Sequence, residues 1–127
     1  MKKSKIITRH VRETLFDADI VLIVCEFPYF LEHALKMVDK DKQESLKRMV
    51  ERHGDDPWSK ATQYPFGGGG SVIWAKPSEG LPTLVHEITH AAHHLLKCRD
   101  IKLTDETEEV YAYLVQFLFE GLVRNTK

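Results

Sequence analysis

The chain has 127 residues, 43% hydrophobic and 29% charged, with 18 basic and 19 acidic side chains and a formal net charge of −1. A chain of that length is expected to fold as one domain, residues 1–127, around one core. The even charge argues against a nucleic-acid surface, and the longest apolar run, Ile20 to Cys25, is far too short to span a bilayer.

The two cysteines, Cys25 and Cys98, form no C-x-x-C pair, so a thiolate metal site is not indicated. No apolar signal core follows the basic start Met1 to Lys5, so the expected setting is the cytoplasm. Ile6, Ile7 and Val11 suggest a short strand or arm, and Asp17-Ala18-Asp19 a break. Ile20 to Cys25 is a mostly β-branched run that reads as a buried strand. Pro28 suits the first turn of a helix over Tyr29 to Val38. Asp39 to Lys42 interrupts the pattern, and Gln43 to His53 reads as a peripheral helix that Gly54-Asp55-Asp56-Pro57 stops.

From Trp58 to Gly70 periodicity is lost. Gly67 to Gly70 reads first as a flexible loop and second as a loop at a cleft edge. No Lys-Ser or Lys-Thr follows, so it is not a phosphate loop. Ser71 to Lys76 reads as a strand and Pro77 to Gly80 as a turn. A helix is predicted from Leu81 or Pro82 to Lys97–Asp100, and another from Glu108 to about Val123, with Thr104 as its N-cap.

The first of these two helices carries the chemistry. Leu81, Leu84, Ile88, Ala91 and Leu95 recur at helical spacing and form an apolar stripe. At about 100° per residue, His86 and His90 lie roughly opposite it, one turn apart. Two imidazoles so placed can grip one Zn²⁺, and Glu87 between them can reach a metal-bound water. This is the HExxH motif of zinc metallopeptidases.

A catalytic zinc needs a third protein ligand. The longer metzincin motif is absent, because Leu96 and His93 occupy its histidine and glycine positions. Glu109 follows His90 with eighteen residues between, at the start of a helix able to return antiparallel. Glu106 and Glu108 compete with it, and only one of the three can face the ion. His93 lies about 4.5 Å further along the axis, which suits a role towards substrate better than ligation. Tyr113, one turn past Glu109, is the candidate oxyanion donor, with Tyr111 and His93 as alternatives. His10, His33, His53 and His94 read as ordinary surface residues, and Cys25 as buried in its strand.

HExxH, eighteen residues and then Glu resembles the gluzincin group of zinc peptidases. Glu109-Val110-Tyr111-Ala112-Tyr113-Leu114 is similar to the Glu-x-x-Ala-Tyr helix of small, often phage-encoded HExxH proteins. The resemblance covers roughly residues 71–123. It implies that His86, His90 and Glu109 hold zinc, that Glu87 is the general base, and that the strand before the metal helix, Ser71 to Lys76, lines a cleft for extended peptide.

The expectation is an α+β fold: a small sheet containing Ile20 to Cys25 and Ser71 to Lys76, helices packed on one face, and a zincin-like site between the last two helices. The expected activity is zinc-dependent hydrolysis of a peptide or protein. The alternative is a non-catalytic, zinc-stabilised interaction module. Peptide deformylase needs a Glu-Gly-Cys setting that Val24-Cys25-Glu26 lacks, and the charge balance speaks against a SprT-like DNA-associated protease.

Overall fold

The computed structural model describes residues 6–53 and 59–124. The predicted stop at residues 54–57 lies outside them, as does the basic start. Strands β1 (Ile7–Glu13), β2 (Ala18–Val24), β3 (Ala61–Pro65) and β4 (Ser71–Ala75) form one sheet in the order β1-β2-β4-β3. β2 and β4 run parallel, with Leu22 opposite Ile73, and the two outer pairs are antiparallel.

The inner strands explain their own composition. Ile20, Val21, Leu22 and Ile23 are all buried, as are all five residues of β4. A strand covered on both faces needs apolar side chains on both, so its sequence reads as a continuous run rather than an alternation.

Helices α1 (Phe27–Met37) and α2 (Lys40–His53) lie on one face, and α3 (Leu81–Cys98) and α4 (Glu108–Phe119) on the other. The expectation of helices on one face only is therefore corrected. Val21, Ile23, Val72 and Trp74 point towards α1 and α2, and Ile20, Leu22 and Ile73 towards α3 and α4. β2 is apolar on both sides because it has two helical layers to meet.

Several boundaries move for local reasons. α2 begins at Lys40, where the Lys42 N–H bonds the Asp39 carbonyl, so part of the charged interruption is the first turn of the helix. Thr104 caps a turn rather than α4: its hydroxyl accepts from the Thr107 N–H at 3.3 Å, and Thr107 is the N-cap. α4 ends in a π-turn, Glu120–Arg124, packed against β1, where a side chain at Gly121 would collide with Val11.

β3 falls where no element was predicted. It is a five-residue edge strand, and Pro65 is tolerated at its end because an edge needs fewer ladder bonds. Gly67 to Gly70 is the short connection from β3 to β4, closed by Phe66 N–H to Gly70 O at 2.9 Å and Gly69 N–H to Phe66 O at 3.2 Å. Gly69 has φ +107°, and a Cβ there would stand 2.6 Å from Leu95 Cδ1. Gly69 is therefore required by the turn and by close approach to α3.

Candidate metal centre

α3 is built as predicted. Ile88, Ala91, Ala92, Leu95 and Leu96 are buried against the sheet, while His86 and His90 are exposed on the opposite side. The two rings lie edge to face with centroids 4.7 Å apart, and their Nε2 atoms are 3.2 Å apart. Two nitrogens bound to one tetrahedral zinc at about 2.0–2.1 Å lie roughly 3.3 Å from each other. The same 3.2 Å contact is a hydrogen bond when one Nε2–H donates to the other ring; sharing a cation requires both Nε2 lone pairs to turn to it.

Glu87, next to His86, is 9% exposed. Burial raises its carboxyl pKa above the usual range, and positive charge on His86 and His90 opposes that rise. A carboxyl held in this way takes up a proton more readily than one on an open helix face. His86, Glu87 and His90 are thus brought together by a single turn of helix.

The remaining predicted residues are not. Among the described residues, no group of three or more His, Cys, Asp or Glu side chains is arranged to hold a metal ion. Glu109 is exposed at the start of α4. Glu108 instead lines an apolar groove of about 670 Å³ between α3 and α4, with Val85, Ile88 and Thr89. Glu109 sits about 100° further round α4, on the side shared with Tyr113. The Tyr113 hydroxyl donates to Glu13 Oε2 at 2.7 Å, a bond that raises the phenol pKa. The Tyr111 hydroxyl donates to the Ile101 carbonyl at 3.1 Å. Both tyrosines therefore fasten α4 in place, while His93 stays exposed, its ring 6.2 Å from that of Tyr111.

The strand expected at Ser71 to Lys76 is β4, Ser71–Ala75, and it has no free edge for an extended peptide: it is paired on each side, and the free edge beneath α3 belongs to β3. Three histidines read as surface residues have partners. The His94 Nε2–H donates to the Phe66 carbonyl at 2.6 Å, tying α3 to the β3–β4 connection. His53 meets the Tyr64 hydroxyl at 3.0 Å, and the His10 Nε2–H donates to Asp19 at 2.8 Å. Cys25 is buried as expected, and burial pushes its thiol up to about 11.

Glu13 is the residue that sequence reasoning missed. It is 1% exposed and accepts both the Phe16 N–H at 2.6 Å and the Tyr113 hydroxyl. Its signal was faint: one acid at the end of a strand, before a turn.

No protein-family model, curated protein or solved structure matches the chain. The gluzincin resemblance rests on the motif residues and enters the proposal below on that basis.

Proposed function

We propose that the protein is a zinc-dependent metallopeptidase acting on a peptide or protein substrate. The observation that carries this reading is the 3.2 Å Nε2–Nε2 spacing of His86 and His90 beside the buried Glu87. His86 and His90 would hold the ion, and the resemblance assigns Glu109 as the third ligand, with Glu108 and Glu106 as competitors. Zinc bound there supplies an acidified water and an electrophile for the scissile carbonyl.

The protein's own groups do the rest. Glu87, next to His86 on the same turn of α3 and largely shielded from solvent, would accept a proton from the attacking water and return it to the departing amine. α4 has to shift to bring a first-turn carboxylate to the histidines, because Tyr113–Glu13 and Tyr111–Ile101 fix its present rotation.

The test is the Glu87→Gln variant, compared with wild type for zinc content and for hydrolysis of an unstructured protein. One zinc per chain is expected in both, with hydrolysis lowered by about 10²–10⁴-fold in the variant. Undiminished hydrolysis in Glu87→Gln, or wild-type protein that takes up no stoichiometric zinc, overturns the proposal.

A further inference from the structure

Beyond the histidine pair, α3 carries a second feature on the same exposed side. A cavity of about 420 Å³ opens where α3 turns towards α4, and His93, Lys97, Asp100, Lys102, Leu103 and Tyr111 are among its walls. Lys97 and Lys102 are both exposed, and neither forms an ion pair among the described residues. Asp100 is the one acid in the lining, so two lysines face a single carboxylate. Leu103 is 63% exposed beside them. The result is an apolar wall with a cationic rim.

We infer that this cavity binds a carboxylate of the peptide substrate, with Lys97 and Lys102 as its counter-charges and Leu103 against the adjoining apolar side chain. The inference rests on the peptidase reading and names the kind of peptide that the site takes.

The spacing supports it. His93 lies about 4.5 Å and Lys97 about 10 Å further along the helix axis than His90. An extended peptide advances about 3.4 Å per residue. A chain with its scissile carbonyl at the histidine pair therefore brings a carboxylate to Lys97 two or three residues further on. Free lysines in a partly enclosed, apolar-walled site interact with an anion more strongly than lysines on open surface. The carboxylate comes either from the C-terminus of a short peptide or from an Asp or Glu side chain, and one experiment separates the two.

Three peptides serve as probes: acetyl-Ala-Leu-Leu with a free carboxylate, the same peptide as its C-terminal amide, and acetyl-Ala-Asp-Leu amide. Affinity for the full chain is read by titration, together with the NMR shift of the His93 ring. At least one carboxylate peptide is expected to bind about tenfold more tightly than the uncharged amide. That advantage should shrink as salt rises and disappear in Lys97→Gln/Lys102→Gln with the melting temperature unchanged. A preference for the free acid assigns the C-terminus, and a preference for the aspartyl amide assigns a side chain. Equal binding of all three peptides, or a preference that survives the double variant, overturns the inference. Zinc-dependent hydrolysis is scored separately. Cleavage indifferent to the carboxylate removes this pocket and leaves the peptidase standing, whereas carboxylate binding without any cleavage does the reverse.

Discussion

The two faces of the sheet are made of different materials. On the α1–α2 side the core is aromatic: Phe27, Phe30, Tyr64 and Trp74 pack with centroids 5.0–6.5 Å apart, and the Trp74 indole N–H is satisfied by the Cys25 carbonyl. On the α3–α4 side the fully buried residues are aliphatic, with Phe16, Tyr111, Phe117 and Phe119 partly buried around them, and the covering helix α3 exposes His86, His90 and His93 on its far surface. One face is packing alone. The other makes a single helix bury one side and present chemistry on the other, which a 3.6-residue period allows within eighteen residues. Both faces carry a buried core, and the proposed histidine pair lies beyond only one of them.

That division can be broken most forcefully at Phe30, which is fully buried and stacks on Tyr64 at 5.4 Å. Phe30→Ala is expected to cost about 3–5 kcal/mol in urea denaturation. Zinc uptake per folded molecule should not change, since His86 and His90 lie beyond the other face. A loss of zinc affinity that tracks the loss of stability would show that the faces are coupled.

A smaller effect is expected at Gly69, which lies where the two layers meet. Its neighbour Phe66 belongs to the aromatic core, and the space its side chain would fill is held by Leu95 of the aliphatic one. Gly69→Ala meets both a positive φ and an overfilled contact, and should cost about 2 kcal/mol. Unlike Phe30→Ala, it pushes directly on α3. A displaced His94 resonance is the expected sign, because His94 bonds to the Phe66 carbonyl in the same turn.

These two sites also show what could be read from the chain alone. α3, β2 and β4 were legible because each is a long or dense pattern whose signal lies within itself. The triplet His86, Glu87, His90 was legible for the same reason, being local to one turn of helix. β3 was not: Thr62 and Tyr64 alternate correctly towards the α1–α2 core, but five residues with Gln63 and Pro65 among them fall below any periodic signal. Nor was the rotation of α4. Placing Tyr113 on the same side as Glu109 follows from helical spacing, but whether that side meets α3 or β1 depends on Glu13, a hundred residues earlier. Periodicity tells which side of a helix is buried and says nothing about which neighbour buries it. The one hint of helices on both faces was the unbroken apolar run of β2.

The smallest effect sharpens the same division from the sheet edge. Asp19 lies on the α1–α2 side between His10 and Arg12, each at 2.8 Å. Burial raises its carboxyl pKa, but the His10 hydrogen bond and the Arg12 charge outweigh that and hold it below the usual carboxylate range. With a depressed pKa, the folded chain binds fewer protons here than the unfolded one in acid. The contribution to stability is therefore complete above the unfolded value of about 4 and is lost as pH falls through the folded one. The side chain is 38% exposed, so solvent screening limits the effect to about 1 kcal/mol or less. Asp19→Asn should accordingly lower the melting temperature slightly at neutral pH and flatten its decline from about pH 4 downward. The His86 and His90 ring resonances should stay where they are, because this ion pair fastens β1 to β2 on the face that carries α1 and α2. An unaltered acid limb in the Asn variant would move the source of acid sensitivity to another carboxylate, and shifted His86 or His90 resonances would mean that the sheet transmits what the packing separates.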